Sequence, residues 1–109
     1  MITVSRFDVP EAHAAAFEPG GRHLLAALAE RPGFVRGRLG RALDAPTLWS
    51  LVTEWADVGS YRRGLSAYDV KLATAPLLEF ALDEPSAYDV LAVADEPRPA
   101  AAGPASRAR

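Results

Sequence analysis

The chain has 109 residues and a mass of 11.6 kDa, and 50% of it is hydrophobic, which allows one domain with a real core and excludes disorder of the whole chain. A net charge of −2 excludes a general electrostatic attraction to nucleic acid or to an anionic membrane. The absence of cysteine excludes disulfides, thiolate zinc, iron–sulfur clusters and a cysteine nucleophile, and the absence of Asn and Gln leaves His, Tyr, Arg, Asp and Glu for acid–base work.

Lys71 is the single lysine, and the Ala- and Arg-rich composition reads most simply as GC-rich coding bias. The start Met1-Ile2-Thr3-Val4-Ser5-Arg6 lacks the pattern of a signal peptide, and no apolar run is long enough to span a membrane. The expected address is the cytoplasm, with neither membrane nor nucleic acid as partner.

Alternating β-formers from Ile2 to Phe7 predict a first strand. Asp8-Val9-Pro10 supplies a turn and a helix start, with Glu11 favourable in the first turn. From Ala12 to Arg31 an amphipathic helix places Phe17, Leu24, Leu25 and Leu28 on one stripe. Glu18-Pro19-Gly20-Gly21 interrupts it and predicts a kink or two coaxial pieces. Arg31-Pro32-Gly33 ends the helix. Phe34 to Ala42 and Thr47 to Trp55 then form an antiparallel hairpin about Leu43-Asp44-Ala45-Pro46.

A short second helix opens at Ala56-Asp57 with Ser60 and runs through Leu65. A third begins around Ser66–Tyr68 and reaches about Phe80, with Val70, Ala73, Leu77 and Phe80 in register and a break at Pro76. A last strand follows Pro85, from Ser86 to Ala94. Ser-Ala-Tyr-Asp-Val occurs at 66–70 and 86–90, once in a helical context and once in a strand, which is coincidence rather than a repeat. The domain is therefore 1–94. From Asp95 to Arg109 the Pro/Ala/Arg-rich remainder reads as a flexible tail.

The order β-α-β-β-α-(α)-β is that of a ferredoxin-like α+β sandwich, with helices on one face of a four-stranded antiparallel sheet. In the third strand Trp49, Leu51, Thr53 and Trp55 share one face, and Leu48, Ser50, Val52 and Glu54 the other. Both faces carry bulky apolar groups, so both need cover. In so small a domain the second cover is another chain, which predicts a homodimer closing into an α+β barrel.

Pro32-Gly33-Phe34, Thr53-Glu54-Trp55 followed by Tyr61-Arg62, and Pro85-Ser86-Ala87-Tyr88-Asp89-Val90-Leu91 resemble the antibiotic biosynthesis monooxygenase family over roughly residues 1–92. The resemblance implies a dimeric α+β barrel. For the family's polyketide-anthrone oxidases it implies chemistry without metal or flavin, in which a reduced aromatic substrate reacts with dioxygen as a stabilised carbanion. The family's strand Trp and later Tyr are kept as Trp55 and Tyr61; its Asn falls on Leu51 and its second-strand His near Gly40. The haem-degrading relatives need a first-strand Asn and a helix His that falls near Thr74, so the resemblance does not imply haem degradation.

Trp55 and Leu51 share a face that, by this resemblance, lines the pocket, where Trp55 is either a stacking wall for a flat aromatic ligand or plain core. Trp49, on that face, is core, interface or ligand wall. Tyr61 either contacts a phenolate or ketone oxygen or anchors at the surface beside Arg62 and Arg63, and Tyr68 is open in the same way. Of the two histidines, His13 projects near the apolar stripe and is either structural or ligand-binding, while His23 faces solvent. Neither has a second ligand at metal spacing. Arg36 and Arg38 share a strand face with Phe34 and Gly40. If Gly40 marks the pocket side, Arg38 offers a cation to a developing anion; otherwise the arginines lie at the sheet surface or a dimer seam, with Glu54 as a partner across it.

The expected function is cofactor-independent oxidation of an anthrone or quinol, with Trp55, Tyr61 and Arg38 catalytic and Trp49, Leu51, Tyr68 and His13 binding. The alternatives are a non-catalytic binding barrel, favoured by Leu51 and Gly40 at the family's polar positions, and an isomerase or cyclase on the same fold.

Overall fold

The computed structural model of the chain describes residues 1–95. Strand β1 (Ile2–Asp8) leads through a 3-10 turn (Glu11–His13) into helix α1 (Ala14–Ala29). Strands β2 (Phe34–Arg41) and β3 (Leu48–Trp55) form the predicted hairpin. Helices α2 (Val58–Ser66) and α3 (Tyr68–Thr74) follow, then a 3-10 segment (Ala75–Phe80) and strand β4 (Ala87–Tyr88). The sheet is antiparallel in the order β2-β3-β1-β4. This is the ferredoxin-like α+β fold.

Register decides which side chains meet. Thr3 lies opposite Thr53, Ser5 opposite Leu51 and Phe7 opposite Trp49, so β1 and β3 present one continuous inner face to the helices. Phe17 of α1 joins Phe7 and Trp49 there, each pair of rings 5.2 Å apart. Val9 and Val70 are fully buried beside them.

Of the two alternatives for the first helix, the two coaxial pieces do not occur: α1 is one helix that runs through Pro19. Proline removes one N–H from the ladder, but the two glycines after it serve packing rather than termination. A Cβ at Gly21 would stand 3.0 Å from Leu39 of β2, and one at Gly20 3.0 Å from Leu77. Beyond the end of α1 the chain turns into β2 at Gly33, whose φ of 87° is left-handed and favours a residue without a side chain. The predicted third helix ends at Thr74, and Pro76 lies in the 3-10 segment that replaces its second half.

Two strand expectations need correction. An irregularity in the ladder between Phe34 and Arg36 puts Phe34 on the inner face, against Trp55, while Arg36, Arg38 and Gly40 pair with Glu54, Val52 and Ser50 on the outer face. Phe34 therefore does not share a face with the two arginines. The last strand, predicted over Ser86–Ala94, is confined to Ala87–Tyr88. Ala87 pairs with Thr3 and Tyr88 with Ile2, the first residue of β1. The predicted tail lies outside the described residues except for Asp95.

Candidate functional site

Between the inner face of the sheet and the helices lies a cavity of about 150 Å³, floored by Thr3 and Ser5 of β1 and Leu51, Thr53 and Trp55 of β3. Leu24 and Leu28 of α1 form one wall, and Tyr61 and Leu65 of α2 the other. Leu65 and Leu78 border it while largely exposed, which marks the mouth.

Trp55 is 2% exposed, at the end of β3. Its ring meets Phe34 edge-on at 5.3 Å and Tyr61 at 6.0 Å with the planes inclined by 62°. Helix α2 crosses close to that ring because residue 64 is glycine: a Cβ there would lie 2.7 Å from the indole. The Trp55 Nε1–H donates to Thr53 Oγ1 at 2.9 Å, and Thr53 Oγ1 shares a second hydrogen bond with Thr3 Oγ1 across the β1–β3 ladder.

The position of Tyr61 is set by the start of α2. The Asp57 carboxylate accepts from the Ser60 backbone N–H at 2.7 Å and caps the helix. That hydrogen bond holds the Asp57 carboxyl below the ordinary aspartate range, the Ser60 side chain and Arg63 adding to it. The preceding residue, Ala56, donates its N–H to the Gly33 carbonyl at 2.8 Å, so the α1–β2 turn and the start of α2 hold one another.

Of the residues singled out in the sequence, the structure brings Trp55, Tyr61 and Leu51 together at this cavity. It does not bring the others. Arg38 is on the opposite face of the sheet, exposed and level with Val52. The condition for its role, that Gly40 marks the pocket side, is not met: a Cβ at Gly40 would point toward Ser50, on the outer face. Glu54 pairs with Arg36 of its own chain, at 3.1 Å. His13 is exposed on the 3-10 turn with its ring 5.5 Å from Phe80, and Tyr68 is 76% exposed at the start of α3. Trp49 belongs to the core, borders a separate surface cavity beside α1, and lies under the Arg41 guanidinium at 4.8 Å. His23 is exposed, as expected. Among the described residues no group of three or more His, Asp or Glu side chains is placed to hold a metal.

Sequence reasoning did not mark Thr3, Thr53 or Gly64 as site residues, nor Ser5, Leu65 and Leu78 at the floor and mouth. The signal for Thr53 was present, since alternation makes it the one hydroxyl in the stripe Trp49-Leu51-Thr53-Trp55. Thr3 needs the β1–β3 register, and Gly64 needs the crossing of α2 over the sheet.

Solved structures with this architecture include two of SnoaB, a cofactor-independent oxygenase from Streptomyces nogalater. One, a single-residue variant, is 26% identical, with a TM-score of 0.74 over 87% of this chain and 96% of that one. The other is 29% identical, with a TM-score of 0.68 over 83% and 94%. A conserved protein from Methanosarcina mazei, 20% identical, has a TM-score of 0.68 over 79% of this chain and 84% of its own. No curated protein sequence matches. The sequence model described as antibiotic biosynthesis monooxygenase matches residues 1–71, which span β1 to α3 and so contain most of the cavity wall. By that match and by its fold, the chain belongs to the antibiotic biosynthesis monooxygenase family.

Proposed function

We propose that the protein is a cofactor-independent monooxygenase acting on an aromatic, polyketide-like anthrone or quinol. The observation that carries this reading is the Trp55–Tyr61 corner at the end of an apolar cavity, in a family whose structural neighbour SnoaB is a cofactor-independent oxygenase. A cavity of about 150 Å³ takes one aromatic ring. The exposed Leu65 and Leu78 leave the rest of a fused ring system room to extend through the mouth.

For a methylene substrate the reaction balances without an external reductant. Loss of a proton gives a delocalised carbanion, which adds dioxygen. The resulting hydroperoxide loses water, so that CH₂ and O₂ become C=O and H₂O. Trp55 walls the end of the cavity and keeps water from the ring, and the Tyr61 hydroxyl faces the oxygen at which charge develops. Arg38 has no part, because the sheet lies between it and the cavity.

Oxygen uptake with anthrone and quinol substrates tests the proposal. Turnover by the wild type and a loss of about 10²-fold or more in the Trp55→Ala, Tyr61→Phe double variant is the expected result. Rates indistinguishable between the two reject it. One observation favours a second reading, a non-catalytic binding barrel: among the described residues no imidazole or carboxylate lines the cavity to serve Tyr61 as a general base. Aromatic binding without oxygen uptake is its signature.

We further infer a homodimer. The outer face of the sheet carries half-covered Ile2, Val4 and Leu48 and exposed Val52, and a second copy packed on that face supplies the missing cover.

A further inference from the structure

The hydroxyls on the cavity floor have one proton too many. Trp55 Nε1–H can only donate, and it donates to Thr53 Oγ1. Thr53 and Thr3 share one hydrogen bond between their hydroxyls, either of which can be the donor. Three donor protons therefore meet two hydrogen bonds, and among the described residues neither threonine side chain has another partner.

The direction of the chain follows from the acceptors. If Thr3 donated to Thr53, the Thr53 oxygen would accept twice while the Thr3 oxygen accepted nothing. If Thr53 donates to Thr3, each hydroxyl accepts once, Thr53 also donates, and the two bonds run head to tail and polarise one another. The free proton then lies on Thr3. Thr3 is 5% exposed and Thr53 3%, so bulk solvent does not serve that proton, and both residues line the cavity. Ser5, the next hydroxyl on the same face, is only half-buried and open to water.

We propose that Thr3, at the end of the relay Trp55→Thr53→Thr3, donates a hydrogen bond to a carbonyl or phenolate oxygen of the ligand. The proposal rests on the reading of this cavity as an aromatic-ligand site and adds the orientation: the ligand enters oxygen first, its acceptor at the floor and its apolar end between Leu65 and Leu78. It also assigns donor chemistry to a pocket whose Leu51 is apolar. A buried donor left unpaired by a ligand without an acceptor costs more than an ordinary hydrogen bond returns, so the pair selects against plain hydrocarbons.

The test compares acetophenone, which has an acceptor oxygen and no donor, with ethylbenzene, which has neither, by calorimetry or tryptophan fluorescence. The readout is the ratio of their dissociation constants in wild type, Thr3→Val and Thr3→Ser. The Thr3→Val change is expected to shift the ratio toward ethylbenzene by about fivefold to tenfold, and Thr3→Ser is expected to keep the wild-type preference. Binding of ethylbenzene itself shows that a variant is folded; should Thr3→Val not fold, Thr3→Ala against Thr3→Ser makes the same comparison. An equal ratio in all the proteins overturns the donor proposal while leaving the aromatic pocket standing. Failure of the wild type to bind either compound overturns the pocket reading and this proposal with it.

Discussion

At Gly64 two residue-level effects oppose one another, and their sizes decide the outcome of a substitution. Replacing a helical glycine by alanine gains about 1 kcal/mol of helix propensity. The new Cβ, however, would lie 2.7 Å from the Trp55 ring, which Phe34 and Tyr61 hem in at 5.3 and 6.0 Å. Overpacking of that kind costs roughly 1–3 kcal/mol, so the clash outweighs the propensity. Gly64→Ala is expected to lower the stability read from urea unfolding by about 1 kcal/mol and to change the Trp55 fluorescence. A stabilised variant would show that α2 lifts off the ring at no cost. The same corner shows what single residues reveal in advance. Trp55, Tyr61 and Leu51 stand out because the resemblance to the family points to those positions. Thr3 and Thr53 do not, because a threonine pair becomes a site only through its register.

Helix α2 depends on its first turn, and that turn titrates. The Asp57 carboxylate accepts the Ser60 N–H, and this bond lowers its pKa in the folded chain. A folded-state pKa below the unfolded one means that the cap contributes fully above the unfolded value. That contribution is lost as pH falls through the folded value. Asp57→Ala is therefore expected to melt below the wild type near neutral pH, with the gap closing as pH drops below about 4. Asp57→Asn, which caps without ionising, should melt without this pH dependence. A gap of constant size from neutral to acid pH would remove the charged cap from the account. Element by element, local pattern carries the faces of β3, the apolar stripe of α1 and the capped start of α2. It misses three features that depend on partners. Pro19-Gly20-Gly21 reads as a kink or a break, yet one helix runs through it, with Gly20 and Gly21 set close against Leu77 and Leu39. The displaced pairing between Phe34 and Arg36 turns Arg38 away from the site, and no periodicity within β2 announces it. The last strand pairs with β1 only through Ala87 and Tyr88, which no local pattern in Ser86–Ala94 announces.

For the whole molecule, the question is what covers the outer face. A four-stranded sheet with helices on one side is stable when its other side is polar, but here Val4 faces Val52 across β1 and β3 with Ile2 beside them, an apolar patch among Arg6, Arg38 and the Arg36–Glu54 pair, and Leu48 lies further along the same face. Beyond β4 the chain continues with Val90, Leu91 and Val93 exposed, Leu91 at 94%. Exposed apolar surface on both the sheet and the segment leaving its edge fits association with a second copy, because a two-fold dimer covers both features with the same patch from each protomer. A stable association needs about 800 Å² of surface from each partner, which an edge segment of a few residues does not supply alone; the sheet face must contribute. Light scattering at micromolar concentration is therefore expected to give twice the chain mass. Val52→Asp, a charge in the middle of that patch, is expected to shift the equilibrium to monomer. Because the cavity lies on the opposite side of the sheet from these residues, the monomeric variant should still bind acetophenone. A wild type that is monomeric across that range would reject the dimer. A Val52→Asp monomer that no longer binds would show instead that the second copy holds the sheet, and with it the Thr3–Thr53 floor, in its working shape.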